Sequence, residues 1–262
     1  GPATAGETTG KISITGVGKV TVTAVKAGGD NYLDATADET FTTVKAQQSM
    51  LAITGKPDGD IVYGQEFTLG TSGGSGDGAI TWTVTGGAAV VDINTGAVKV
   101  TGVGDVVITA FKAGGSNYQD ITATETFTTV KAQQSVLSIT GKPDGDIVYG
   151  QEFILDTSGG SGGGAVTWTA AGPATIDSRT GAVKITGVGD VTITAVKAGG
   201  SNYQDAAATY TFTIGKADQR DFSIVPVTGK KYGDASFTLE TTGGNGGGAG
   251  SYSDPDANGV LS

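Results

Sequence analysis

From residue 49 onward, apolar and polar side chains alternate in short runs that never reach helical length. SMLAITG (49–55) reads as a strand, and GKPDGD (55–60), with Pro57 and Gly59, as the turn that ends it. IVYGQEFTLGTS (61–72) is extended again, and Tyr63-Gly64 inside it predicts a bulge or a switch between sheets. SGGSGDGA (72–79) reads as a loop. AITWTV (79–84) puts Ile80, Trp82 and Val84 on one face and threonines on the other. AVVDINTGAVKVTGV (89–103) predicts a hairpin that turns through Asn94-Thr95-Gly96. GDVVITAFKAG (104–114) places Val106, Ile108 and Ala110 on one face, GGSNYQD (114–120) is a loop, and ATETFTTVKAQQ (123–134) is the last strand. About seven short strands with turn signals roughly every 8–12 residues predict an all-β, two-sheet sandwich with Greek-key connections.

The same reading then starts again. VKAQQ ends at Gln48 and at Gln134, and a diverged GKADQ ends at Gln219, a period of 86 and then 85 residues. TGVG recurs from Thr15, Thr101 and Thr186, and KAGG-x-NY from Lys26, Lys112 and Lys197. A fixed period means a tandem array of equivalent units, in which each unit contacts only its neighbours. The expected division is two whole Ig-like units, 49–134 and 135–219, flanked by the C-terminal half of one (1–48) and the N-terminal half of another (220–262). Trp82 and Trp168 fall where an Ig-type sandwich keeps its central core Trp, and Tyr252 takes that place in the last unit. The Tyr of each NY pair, Tyr32, Tyr118 and Tyr203, is expected to plug the end of its sandwich.

Residues 44–73 and 130–159 differ only at Met50/Val136, Ala52/Ser138, Thr68/Ile154 and Gly70/Asp156. Loops match as well as strands, which points to recent duplication rather than to a packing requirement. VKAQQS holds no Pro or Gly run, so the last strand of one unit is expected to run directly into the first of the next. A unit should then advance a linear array by roughly 35–45 Å, from the rise of a strand plus its loops.

Composition narrows the function. The 262 residues contain no Cys and no His, which removes disulfides, thiolate metal sites and the commonest general base. The net charge of −10 and pI near 4.4, without a basic stripe, argue against nucleic acid and anionic membranes as partners. No apolar run approaches the ~20 residues of a membrane span. Gly is abundant, 46 residues, but recurs at fixed places, so it is turn chemistry rather than low complexity.

Three motifs that recur in order carry a resemblance: Tyr63-Gly64, the run GVG-x-V-x-I-T-A-x-K-A-G-x-x-N-Y from Gly102 to Tyr118, and KA-x-Q from Lys131 to Gln134. The chain resembles bacterial Ig-like repeats, in particular MBG domains of the YGX type. The resemblance implies stalk repeats of large secreted or surface-anchored bacterial proteins, adhesins among them.

Candidate chemistry is sparse. The loops 72–78, 158–164 and 242–248 are Gly-rich, but strands follow them instead of the Lys and helix of a phosphate-cradling loop, so flexible hairpin loops are expected. Asp58, Asp60, Asp144 and Asp146, in the PDGD turns, are candidate Ca²⁺ ligands beside the joints. Asp-Gly is also ordinary turn chemistry, and the spacing matches no complete calcium loop, so plain turns without a cofactor are expected. Glu66/Asp92 and Glu152/Asp177 are the carboxylate pairs a glycosidase would need, without a cleft to hold them. Nearly all of the 18 aromatic residues (2 Trp, 8 Tyr and 8 Phe) fall at strand or plug positions, so burial is expected to account for them.

The sequence therefore predicts no enzyme. It predicts a structural stalk or fibre at the cell surface or outside the cell, its partners being neighbouring repeats or identical subunits. A glycan- or protein-binding adhesin module displaying its Gly-rich loops is the competing reading. The flanking halves overlap where GKIS (10–13) and GVLS (259–262) fill the same place. They are expected either to be cut from a longer periodic array or to complete one another between subunits, head to tail, by strand complementation.

Overall fold

The computed structural model describes residues 1–253. Every element among them is a strand: β1 Ala3–Ala5, β2 Ile12–Ile14, β3 Gly18–Lys26, β4 Ala35–Thr43, β5 Leu51–Thr54, β6 Ile61–Val62, β7 Glu66–Thr68, β8 Gly70–Gly73, β9 Ile80–Gly86, β10 Ala89–Val91, β11 Ala97–Val100, β12 Gly104–Lys112 and β13 Ile121–Val130. The third copy repeats β5–β13 as β14 Leu137–Thr140, β15 Ile147–Val148, β16 Glu152–Ile154, β17 Asp156–Gly159, β18 Val166–Ala171, β19 Ala174–Ile176, β20 Ala182–Ile185, β21 Gly189–Lys197 and β22 Ala206–Gly215. β23 Ser223–Ile224 and β24 Thr241–Thr242 follow.

These residues divide into two compact units. The first holds Gly1–Leu137 with Gly159–Val166 and Val196–Ala207; the second holds Ser138–Ser158, Thr167–Ala195 and the described residues from Ala208.

In the first unit the second copy forms a complete sandwich. One sheet is ordered β6-β13-β12-β9; the other is built from β10-β11-β7 and from β5 paired with β8. β5 lies antiparallel to β8, whereas β6 lies parallel to the end of β13, so the chain changes sheet between them. It changes back at Tyr63-Gly64, where Gly64 takes φ +80, a region only glycine enters freely. The YG pair is thus a switch between sheets. β9 and β12 pair with Trp82 opposite Ala110. The one-face alternation of β12 is realised as full burial of Val106, Ile108 and Ala110. Val106 and Ile108 each contribute ~1.5–3 kcal/mol by leaving water, and the Ala110 methyl about 0.8. Around them close Leu51, Ile61, Leu69, Val98, Val100, Phe127 and Trp82, which is 4% exposed.

The hairpin β10–β11 turns where expected. Asp92 Oδ1 accepts the N–H groups of Asn94 and Thr95 and the Thr95 hydroxyl, at 2.8–3.0 Å. Gly96 ends the turn at φ +72, and a Cβ there would lie 2.6 Å from Leu69 O and 3.0 Å from the Trp82 ring. The turn glycine is therefore the floor of the tryptophan's pocket. In the first copy β1 pairs with β2 and β3 with β4, two sheets of two strands each. Val20 is buried there, but Val22 is half-buried and Ala24 exposed, though they match Ile108 and Ala110 in sequence.

The second unit repeats the design with the sheets β15-β22-β21-β18 and β16-β20-β19, and β14 paired with β17. Leu155, Val183, Ile185, Val191, Ile193, Ala195 and Ile214 are buried, and Trp168 is again 4% exposed. Its described tail forms only the pair β23–β24. Tyr252, expected in a core seat, is 56% exposed, and its hydroxyl donates to Leu239 O at 3.3 Å. The physical reason is that two short strands supply no opposing sheet to pack against. The run 259–262 lies outside the described residues.

Candidate functional site: the joint between copies

The last strand does not run straight into the next. β4 ends at Thr43 and β13 at Val130; in each case the Lys-Ala-Gln-Gln segment leaves the sheet and is built into the copy that follows. Ala46 forms an isolated parallel bridge with Tyr118: its N–H donates to Asn117 O, and Gln119 N–H donates back to Ala46 O, both at 2.9 Å. Gln47 Nε2 donates to Gln119 Oε1 at 2.7 Å. Gln48 Nε2 donates to Lys112 O at 3.2 Å and Gln119 O at 2.8 Å. Lys45 Nζ donates to Gly115 O at 2.8 Å, and Ser49 N–H to Ser75 Oγ at 3.0 Å. The chain thus enters the second copy at Ala46 rather than at Ser49.

The second joint is the same object. Ala132 N–H donates to Asn202 O and Gln204 N–H to Ala132 O, both at 2.9 Å. Gln133 Nε2 reaches Gln204 Oε1 at 2.7 Å, and Gln134 Nε2 reaches Lys197 O at 2.9 Å and Gln204 O at 2.8 Å. Ser135 N–H donates to Ser161 Oγ at 3.0 Å. Two backbone acceptors fix each amide's orientation, so Oε1 of Gln48 and of Gln134 is turned inward, buried and unpartnered.

The receiving loop is preformed by its own sequence. In KAGG-x-NYQD the aspartate caps the loop: Asp120 Oδ1 accepts Gly114 N–H, and Asp205 Oδ1 accepts Gly199 N–H, both at 2.8 Å. A Cβ at Gly114 or Gly199 would collide with the carbonyl of Tyr118 or Tyr203. The Gly-rich loops, expected as flexible hairpin loops, form the socket's other wall. A Cβ at Gly76 would press on the Tyr118 ring at 3.0 Å, one at Gly74 on the Lys112 side chain and Gln48, and one at Gly78 would collide with Ala113 O. The glycines are needed there for close approach, not for free display.

Direct copy-to-copy contact completes the joint. Tyr63, from the YG switch of the second copy, packs edge-on against Tyr203 of the third, with centroids 5.2 Å apart at 77°. The turn glycines Gly16 and Gly102 of TGVG face Asn117 and Asn202 of the next NY pair. Tyr118 and Tyr203 are half-buried, each ring beside a glycine of its own copy, Gly76 and Gly162, and Tyr203 also meets Tyr63 of the preceding copy. Several aromatics expected to be buried, Tyr32, Tyr149, Phe222 and Phe237 among them, are exposed.

The other candidates do not converge. Asp58, Asp60, Asp144 and Asp146 are exposed on turns whose glycines, Gly59 and Gly145, take φ +80 and +82. Among the described residues no three His, Cys, Asp or Glu side chains gather as a metal-ligand set. Glu66 pairs with Lys99 at 2.8 Å, which holds its carboxyl below the usual range, while Asp92 serves its own turn, so the two form no catalytic pair. Glu152 likewise pairs with Lys184 at 3.1 Å, and Asp177 caps the turn to Thr180.

Sequence reasoning found the motifs but not their meeting place. The available signal was the pairing of two recurrent glutamines, in KAQQ and in NYQD, that neither core nor turn requires. Among the described residues no helix is long and apolar enough to cross a membrane.

No protein-family model and no curated protein matches the chain. Among solved structures it is similar to mouse cadherin-23 EC22–24, at 14% identity and TM-score 0.30, covering 79% of this chain and 80% of that one. It is also similar to Drosophila N-cadherin EC1–3, at 11% identity and TM-score 0.30, covering 82% and 86%. A third is a C-terminal 282-residue fragment of intimin, solved with the intimin-binding domain of its translocated receptor, at 21% identity, TM-score 0.27, and 63% and 64% coverage. These superpositions are loose, and the assignment of tandem Ig-like β-sandwich repeats stands on the strand pairing itself.

Proposed function

We propose that the chain is a structural repeat region, a stalk or fibre segment of the MBG type, in a bacterial cell-surface or extracellular protein. It spaces or assembles; it does not catalyse. The observation that carries this is the joint. The recurrent motifs TGVG, SGGSG, KAGG-x-NYQD and KAQQ converge twice on contact between one copy and the next, joined at the second joint by Tyr63 of YG. Neutral hydrogen bonds of this kind contribute ~0.5–1.5 kcal/mol each, and several per joint restrict bending more than an unattached tether would. An acidic surface without Cys or His suits a spacer in bulk solvent.

The test is small-angle scattering of the full chain beside the double variant Gln133→Ala/Gln134→Ala. The spacer reading expects a broader distribution of intramolecular distances in the variant. Identical curves would remove the joint's role. A glycan and protein array probed with the full chain tests the adhesin reading. Specific capture that disappears when Ser72–Gly78 is replaced would favour display over spacing.

A further inference from the structure

The joint also fixes the path that tension takes along the chain. The seat that receives Ala46–Gln48 lies at Asn117–Gln119, directly before β13, and β13 ends at Val130, where the next tether begins. A pull on the two tethers of the second copy therefore has a short route: across the seat by hydrogen bonds, then along the backbone of one strand. The stretch of 71 residues from Gln48 to Gln119, which holds β5–β12, lies off that route. The third copy is wired in the same way at its entry, with Ala132–Gln134 held at Asn202–Gln204, directly before β22.

The direction of the bridge decides how the seat is loaded. Ala46 and Tyr118 pair in parallel, as do Ala132 and Tyr203. Tension draws the tether toward its N-terminus and the seat toward its C-terminus, so the two segments are pulled past one another lengthwise. The backbone pair at Ala46, the bond from Gln47 to Gln119 and the bond from Gln48 to Gln119 O are then strained together. A hairpin pulled open from its end gives up one bond at a time instead. Gln48 is 8% exposed, so water is poorly placed to take over its bonds as they stretch. Behind the seat stands a second parallel pair, β6 with the end of β13, where Tyr63 N–H donates to Val130 O at 2.9 Å. β15 pairs in parallel with the end of β22 in the same manner.

We propose that the KAQQ tether and the NYQD seat form a shear clamp that carries tension from copy to copy past the sandwich, resting on the spacer reading above in that a spacer is pulled along its length. While the clamp holds, the hydrophobic core bears no load, and the resistance of a copy to pulling is set by the seat rather than by the stability of the sandwich. The parallel pairs β6–β13 and β15–β22 take the load only once the seat has opened.

Optical-trap pulling of the full chain under constant load tests it. The chain has no Cys, so a cysteine added at each terminus gives unique handles. Opening a copy should lengthen the chain by roughly 230–260 Å, the contour of 71 residues in the second copy and 70 in the third, because β13 and β22 are extended already. Gln47→Ala/Gln48→Ala/Gln133→Ala/Gln134→Ala should shorten the lifetime of both copies under load by about tenfold or more, since each joint loses more than one hydrogen bond. Val98→Ala/Val183→Ala, which opens a cavity in each core off the route, is the comparison. In denaturant without load the core variant should unfold faster than the glutamine variant; under load the order should reverse. Circular dichroism at rest shows which variants are folded, and Gln48→Ala/Gln134→Ala replaces the fourfold variant if that one is not. The same order with and without load, or a glutamine variant that holds as long as the wild type, overturns the proposal. Scattering reads bending at rest, so a joint that bends freely yet holds under load removes the spacer reading alone, and the opposite pair of results removes the clamp alone.

Discussion

Trp82 and Trp168 sit where β9 and β18 cross the centre of each sandwich, against the glycine that closes the adjoining hairpin. Trp→Ala at either should cost ~3–5 kcal/mol, lost transfer energy plus a cavity, read by denaturant unfolding. Gly96→Ala and Gly181→Ala should cost ~1–3 kcal/mol, because an L side chain strains φ near +72. Asp92 and Asp177 hold those hairpins. Thr95, through its hydroxyl and N–H, and Asn94 N–H hold the Asp92 carboxyl below its ordinary 3.8. The N–H groups of Thr180 and Arg179 do the same for Asp177. A folded-state pKa below the unfolded one means stability present above the unfolded value and lost as pH falls through the folded one. Melting temperature should therefore drop on acidification below about pH 4. The gap between wild type and Asp92→Ala/Asp177→Ala should narrow over that range; a constant gap would show that the charge plays no part.

Among elements, the short Lys-Ala-Gln-Gln tether matters more than its length suggests. Gln48→Leu or Gln134→Leu leaves two backbone carbonyls without their donor, a loss of ~1–3 kcal/mol. Its signature is local. Hydrogen exchange at the Gln119 or Gln204 amide, which donates to the tether, should quicken by about tenfold to hundredfold while β12 and β21 stay protected. Uniform quickening would instead mean that the substitution loosens the whole sandwich.

For the whole molecule, charge and calcium are the levers. At −10 the chain should not bind anionic vesicles or nucleic acid at low salt, a cosedimentation measurement. Melts of the full chain with Ca²⁺ and with chelator should coincide, because among the described residues the four turn aspartates join no cluster of three acidic side chains. A calcium-dependent rise, which mass action would give for a saturating site, would make Asp58, Asp60, Asp144 and Asp146 the first residues to substitute.

The strands and their faces were legible because both are local. Alternation at Ile80, Trp82 and Val84 and at Val106, Ile108 and Ala110 states which side leaves water, and Asn94-Thr95-Gly96 states where the chain reverses. Tyr63-Gly64 showed a break, and whether it was a bulge or a change of sheet waited on the parallel pairing of β6 with β13. The joint was not legible. Gln47 meets Gln119 across 72 residues, and a lone glutamine carries no periodic signal of burial. The fate of Tyr252 was equally hidden, since an aromatic is core only where a second sheet covers it. Local periodicity thus determined the repeat period and the inward faces of the strands. Only the closed sandwich, by bringing a loop and a tether from distant parts of the chain within hydrogen-bond distance, decided how the KAQQ tether is held by the copy that follows.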